Sequence, residues 1–397
     1  MKILVMSSFA FSLINFRGEL LRSMVRAGHQ VVACAPDDDP AVAGSLANMG
    51  IRYVRLPMAR ASTNPFSDVR TLAACIGLMR RERPDAVLAY TQKPIIYGGI
   101  AARLTGRWLT GGRPFYALMT GLGYAFGGDA DDRPWLRRIV RLLYREGVRR
   151  ARMIFVFNRD DRPDMLAHGI ITERSPVMQV PGSGIDLAHF ARQPLPDAAP
   201  RFLMIARLMR DKGLYEFVEA ARALRQHWPN ARFHLLGRID ADNPTSVSEA
   251  EVQRWQAEGI IEYTPETRDV RPFLAASSVF VLPSYYREGL PRTILEAMAT
   301  GRAIITADMP GCREPVCEGA NGFLVPPRDA VALAGAMAMF LRDPALAARM
   351  GAASRLRAEQ VYDVHRVNAQ LMQAMRLDGA KLPVPEPGGL GALRETW

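Results

Sequence analysis

The 397-residue sequence predicts an α/β protein of two doubly wound, Rossmann-like domains facing a central cleft. Three observations carry this prediction. The chain is too long for one ordinary core and suits two domains of about 150–200 residues each. Short apolar runs alternate with helical patterns along its length, as in parallel βαβ units with helices on both faces of the sheet. A Pro/Ala-rich stretch, RQPLPDAAPR (192–201), then breaks the alternation once, near the middle.

In the first half, ILVMSS (3–8) precedes the amphipathic FRGELLRSMVRAG (16–28), and VVACAP (31–36) follows. The rhythm continues through IRYVRL (51–56), a helical 66–82, DAVLAY (85–90), a Gly/Ala-rich helix at 95–105, FYALM (115–119), a helical 133–150 and MIFVF (153–157). After the break come FLMIAR (202–207), FHLLG (233–237), IIEYT (260–264), VFVLP (279–283) and AIITA (303–307), with helical segments between them. The expected organisation is a first Rossmann-like domain at 1–191, a linker at 192–201 and a second Rossmann-like domain at 202–360. A helix at 361–376, able to cross back to the first domain, and a Pro/Gly-rich disordered tail at 377–397 complete it.

A content of 49% hydrophobic and 23% charged residues is that of an ordinary soluble globular protein. The opening MKILVMSS is too soon broken by polar residues to read as a signal peptide, and no apolar run reaches membrane-span length. Cys34, Cys75, Cys312 and Cys317 lack zinc-site spacing and read as reduced thiols, so a cytoplasmic setting is expected. The net charge of +11 is one-sided: residues 1–197 hold 27 Lys+Arg against 17 Asp+Glu, the remainder 24 against 23. Such a basic half suits a polyanion, whether nucleic acid, anionic membrane or phosphorylated substrate. Only four basic residues are lysines, so Lys212 inside a motif draws notice.

The densest chemistry lies in YYREGLPRTILEAMATG (285–301). Pro291 suits a helix start, and TILEAMA is strongly helix-forming. The free N–H groups of Gly289, Leu290, Arg292 and Thr293 can then cradle a sugar and a phosphate at the positive end of the helix dipole. Glu288 can accept hydrogen bonds from sugar hydroxyls, and Glu296 both hydroxyls of a ribose. Two glutamates flanking an ordinary helix start would look the same by spacing alone. In ARLMRDKG (206–213), Arg207 and Lys212 stand at a strand end and a helix start, where a fork and a mobile point charge can grip a diphosphate. Gly237, at the end of FHLLG, allows close backbone approach, and Arg238 beside it suits a phosphate, an acceptor or a surface salt bridge equally.

Together these segments resemble the family 4 retaining glycosyltransferases of the two-domain GT-B fold, whose signature is E-x7-E within EG-[FL]-P…LEAMA-x-G. ARLMRDKG matches the family's R-x4-K-G, and PGSGIDLAHF (181–190) its G-[VI]-D-x3-F; PGCREPV (310–316) and GANGFLVPP (319–327) follow in order. The resemblance implies a retaining transfer from a UDP-sugar, with Arg207, Lys212 and Glu288 in catalytic roles. Gly237, Glu288, Gly289, Leu290, Arg292, Thr293 and Glu296 would bind the donor. It implies no identified nucleophile, the leaving phosphate taking the acceptor proton. Many relatives carry a His in the loop after the strand that here is FYALM; this chain has Met119, Thr120, Gly121, Leu122, Gly123 and Tyr124, so no base is assigned. No Asp-x-Asp element stands beside the diphosphate motifs, and neither metal nor cofactor is expected.

GRIDADNP (237–244), EYTPETRDV (262–270), RASTNPF (60–66), YTQKPIIYGGIAA (90–102) and TGLGYAF (120–126) are similar to the branch that adds N-acetylgalactosamine (GalNAc) or galactose (Gal) to polyprenyl-diphosphate-linked saccharides. Within it they resemble transferases that add GalNAc to undecaprenyl-diphosphate-bacillosamine. GalNAc is thus the expected sugar, with Gal or N-acetylglucosamine (GlcNAc) as alternatives. The segment 133–152 interleaves arginines with Trp135, Leu136, Ile139, Val140, Leu142, Leu143 and Tyr144. Such a helix suits an anionic membrane surface or lipid diphosphate, which would place the enzyme peripherally at the inner face of the membrane. A UDP-sugar epimerase of the same fold and a basic nucleic-acid-binding protein are the rival readings, but no nucleic-acid motif is present and none is expected as partner.

Overall fold

β1 (Lys2–Met6) is buried from Ile3 onward and lies near the middle of a parallel sheet, which explains why its sequence is a continuous apolar run. The computed structural model describes residues 1–58, 65–106, 113–122, 134–196, 199–240, 243 and 245–378. After β1 come α1 (Ala10–Asn15), α2 (Gly18–Arg26), β2 (Gln30–Ala35), α3 (Pro40–Asn48), β3 (Arg52–Arg55), α4 (Pro65–Glu82) and β4 (Ala86–Tyr90). Then follow α5 (Gln92–Thr105), β5 (Phe115–Leu118), α6 (Pro134–Val148), β6 (Met153–Val156), α7 (Asp161–Ala167) and β7 (Val177–Gln179). The strands pair in the order β3-β2-β1-β4-β5-β6-β7, every pairing parallel.

The second half runs β8 (Arg201–Ile205), α8 (Leu214–Arg225), β9 (Arg232–Gly237), α9 (Glu249–Ala257), β10 (Glu262–Pro265), α10 (Arg271–Ala275) and β11 (Val279–Leu282). It continues with α11 (Arg292–Thr300), β12 (Ala303–Ala307), β13 (Gly322–Val325), α12 (Ala330–Arg342), α13 (Ala345–Arg357) and α14 (Val364–Met375). Its six parallel strands pair as β10-β9-β8-β11-β12-β13. Two sheets, each with its own core, thus confirm the expected α/β class of two doubly wound units.

Several short elements escape the sequence reading. The helix expected over 16–28 is α2, and the short α1 before it is unexpected; between the two, Arg17 is buried, its guanidinium set over the rings of Tyr90 and Phe157. α3 starts at Pro40 with Asp39 accepting from the N–H groups of Ala41 and Val42, a cap hidden in a run of three aspartates. β7 and β13 are edge strands of three and four residues, too short to show a period.

The linker is fastened to the second domain. Arg302 is fully buried and donates to the carbonyls of Gln193, Pro194 and Ala275 at 3.2, 2.9 and 3.4 Å. Burial without a carboxylate lowers its pKa to about 10. α14 returns to the first domain, where Val367, Leu371, Met372 and Met375 join the core beneath β1, and Tyr116 donates to the Met375 carbonyl at 3.1 Å. Cys34, Cys75 and Cys312 are buried, Cys317 exposed, and all four are free thiols. The tail beyond 378, residues 60–64 of RASTNPF, and Gly123 and Tyr124 lie outside the described residues.

Candidate active site

In a doubly wound sheet the crevice opens where strand order reverses, beyond the carboxyl ends of the strands. Here those points are β1/β4 and β8/β11, and the two reversals face one cleft of about 840 Å³. Its second-domain wall includes Arg207, Lys212, Gly237, Glu288, Arg292, Thr293 and Glu296. Seven of the nine residues expected to form the site therefore share one cavity.

Lys212 ends a 3₁₀ turn, Arg210–Lys212, and Gly213 after it has φ +77°. A Cβ at Gly213 would run into the Pro283 carbonyl, so only glycine lets this turn close on the loop after β11. The closure brings the Lys212 ammonium into an ion pair with Glu288, while Ser284 donates to the same carboxylate oxygen at 3.2 Å. Arg207 lies 3.5 Å from Asp240 and keeps 44% of its side chain exposed. Both cations of the expected clamp are present, and each is balanced by a carboxylate.

Glu296 is 8% exposed, and burial raises its carboxyl pKa while Arg292 pulls it down. Arg292 donates from Nε to Glu296 at 3.0 Å, bonds the Asn15 carbonyl, and lies 5.3 Å from the Phe16 ring centre. Expected as a backbone donor, Arg292 also spans the cleft with its side chain. The helix ladder begins with Ile294 N–H, 3.2 Å from the Pro291 carbonyl, which leaves the N–H groups of Arg292 and Thr293 outside it.

Gly289 and Leu290 do not line the cleft. The Gly289 carbonyl accepts from the Asn158 amide at 3.0 Å, and a Cβ at Gly289 would collide with the Thr120 carbonyl. Leu290 packs against Gly182. The loop turns under the cleft at this point and forms the joint between the domains. Gly237 does line the cleft, and a Cβ there would collide with the Ala206 carbonyl. Among the described residues no group of three His, Cys, Asp or Glu side chains is placed to hold a metal ion.

Two family models match the chain in succession: a glycosyl transferase 4-like domain over residues 15–182 and glycosyl transferases group 1 over 199–343. Each model falls on one of the two sheets just described. The chain is a family 4 glycosyltransferase of the GT-B fold. It is 26% identical over 360 residues to the N,N'-diacetylbacillosaminyl-diphospho-undecaprenol alpha-1,3-N-acetylgalactosaminyltransferase of Campylobacter jejuni, spanning 87% of this chain and 91% of that one. It is 29% identical over 204 residues to the putative colanic acid biosynthesis glycosyltransferase WcaL of Salmonella typhimurium, across 49% of each chain. Sucrose-phosphate synthase from Thermosynechococcus elongatus superposes with a TM-score of 0.77 at 20% identity, covering 95% of this chain and 98% of that one. Anabaena Alr3699/HepE in complex with UDP gives 0.73 at 18%, covering 95% and 100%.

The cleft and the domain joint of this glycosyltransferase also contain residues that sequence reasoning passed over. The first-domain wall of the cleft contains Phe9, Phe11, Asn15 and Phe16, from the segment directly after β1. The signal available was position alone, an aromatic F-x-F at the carboxyl end of the first strand. At the domain joint, Arg287 pairs with Asp164, and Asp161 is buried beside them with one carboxylate oxygen lacking a hydrogen-bond partner. Desolvation pushes Asp161 up to about 7.

The basic helix of this glycosyltransferase, α6, divides its arginines. Val140, Leu143 and Tyr144 pack on the first-domain core, and the Nε atoms of Arg137 and Arg141 are shielded from solvent. The outward stripe is Trp135, Arg138, Ile139, Leu142, Arg145 and Arg149, with Trp135 61% exposed. Arg133 lies outside the described residues.

Proposed function

We propose that this glycosyltransferase moves a sugar, with retention of anomeric configuration, from a UDP-sugar to a polyprenyl-diphosphate-linked saccharide at the inner face of the cytoplasmic membrane. GalNAc is the favoured sugar, with Gal or GlcNAc as alternatives. The observation that carries the reading is the convergence of Arg207, Lys212, Glu288 and Glu296 on one interdomain cleft. The similarity to a transferase named for an undecaprenol-linked acceptor, over most of both chains, supports the acceptor class.

The chemistry asks little of side chains beyond charge placement. As the bond from the sugar C1 to the β-phosphate oxygen breaks, negative charge grows on the departing diphosphate and the sugar becomes oxocarbenium-like. Arg207 and Lys212 meet that charge, the fork from one side and the ammonium from the other. Lys212 then exchanges Glu288 for phosphate, which frees the Glu288 carboxylate to accept sugar hydroxyls. Glu296, held from one side by Arg292, takes the ribose. The acceptor oxygen bonds to C1 on the face the diphosphate leaves, and its proton passes to the leaving phosphate. The outward stripe of α6 supports seating on an anionic bilayer, where rings enter the interface and arginines meet lipid phosphates. Among the described residues no single helix is long and apolar enough to cross a membrane. Incubating a panel of UDP-sugars with short-chain polyprenyl-diphosphate saccharides tests the reading. One donor should give a glycosylated lipid, whereas interconversion of UDP-sugars without acceptor favours the epimerase.

A further inference from the structure

We propose that the first-domain wall of the cleft is a saccharide subsite, with the ring of Phe11 as the platform on which an acceptor sugar stacks. The inference rests on the glycosyl-transfer reading above. The two walls differ in chemistry. One carries Arg207, Lys212 and Glu288, suited to a charged nucleotide; the other contributes the three phenylalanines and Asn15 of the segment Phe9 to Phe16, with Asp39 beside them and no lysine or arginine. A phosphate gains nothing on such a wall. A sugar ring has the matching combination, an apolar C–H face for an aromatic ring and a rim of hydroxyls for a short amide.

The three rings are not equivalent. Phe16, though 38% exposed, has one face taken by the Arg292 guanidinium, which also holds Glu296, so this ring belongs to the tie between α1 and the donor helix. Phe11 is 45% exposed, with the Phe9 ring behind it at 6.2 Å. Phe11 is therefore the open surface, and the Phe16–Arg292–Glu296 contacts fix it relative to the donor site. The platform is also rigid. Ser12, the next residue, is buried and hydrogen-bonded to Ser7 at 2.8 Å and to Tyr90 at 2.9 Å, which pins α1 to the strand ends.

The test uses the full chain with UDP-GalNAc and a farnesyl-diphosphate-linked N-acetylhexosamine. Phe11→Ala should raise the acceptor KM about tenfold while the UDP Kd stays unchanged, and Phe11→Tyr should restore the wild-type KM. A wild-type acceptor KM in Phe11→Ala, or a loss of UDP affinity instead, overturns the subsite. Saturation-transfer NMR on methyl N-acetylhexosaminides with UDP bound reads the platform without turnover. Signal lost in Phe11→Ala supports it, and equal signal in both proteins overturns it, whatever the transfer assay gives.

Discussion

Lys212 and Glu288, carried by the loops after two neighbouring strands, neutralise each other in the cleft that faces the first domain. The pair has a functional consequence. A lysine with a built-in counter-ion is held ready without a bound ligand, and a phosphate can take the carboxylate's place. Lys212→Ala should therefore lower turnover about a hundredfold, the usual cost of removing one group that meets transition-state charge. Arg207→Ala should act likewise. Steady-state kinetics at saturating donor is the check, with thermal melting to confirm that the fold persists.

Glu296→Ala should weaken UDP binding tenfold or more, because hydrogen bonds to a charged group are worth about 1.5–3 kcal/mol each. Calorimetric titration of UDP reads this directly. An unchanged Kd in a folded variant would remove Glu296 from the ribose.

Asp161 sets a pH dependence at the domain joint. Its native pKa of about 7 exceeds the unfolded value of 3.8, so the unfolded chain releases the proton first. Stability from this group is complete below pH 3.8, falls by about 1.4 kcal/mol per unit as pH rises toward 7, and then levels off. Asp161→Asn cannot ionise and should gain Tm over wild type at pH 8 but not at pH 4. Equal shifts at both pH values would contradict the buried-carboxyl account.

Replacing Arg138, Arg145 and Arg149 with Ser should reduce sedimentation with anionic liposomes, since each basic residue near such a surface contributes about 1 kcal/mol. The loss should be largest at low salt, and UDP affinity should not change. Arg137 and Arg141, which an even reading of the basic segment would also choose, are poor substitutes because their Nε atoms are shielded.

The sequence made the repeated strands and the charged wall of the cleft legible for a physical reason. Parallel strands covered on both faces are continuous apolar runs, and the cations and carboxylates sit in motifs at strand ends. What stayed hidden depends on contacts between distant segments. Gly289 looks like a phosphate-cradling glycine in its motif, yet the Thr120 carbonyl of the other domain by itself leaves no room for a Cβ there. Arg292 similarly shows its second partner, Asn15, only when the two sheets are brought together. Phe11 and Phe16 carry no motif at all.

The central claim, retaining transfer from a UDP-sugar to a lipid-linked saccharide, is tested most directly by the anomeric configuration of the product. Full-length enzyme, UDP-GalNAc and a farnesyl-diphosphate-linked N-acetylhexosamine should yield a lipid-linked disaccharide whose new bond is α by proton NMR, as in the donor. A β-linked product would contradict retention. Conversion of UDP-GalNAc to another UDP-sugar with no lipid product would contradict transfer itself.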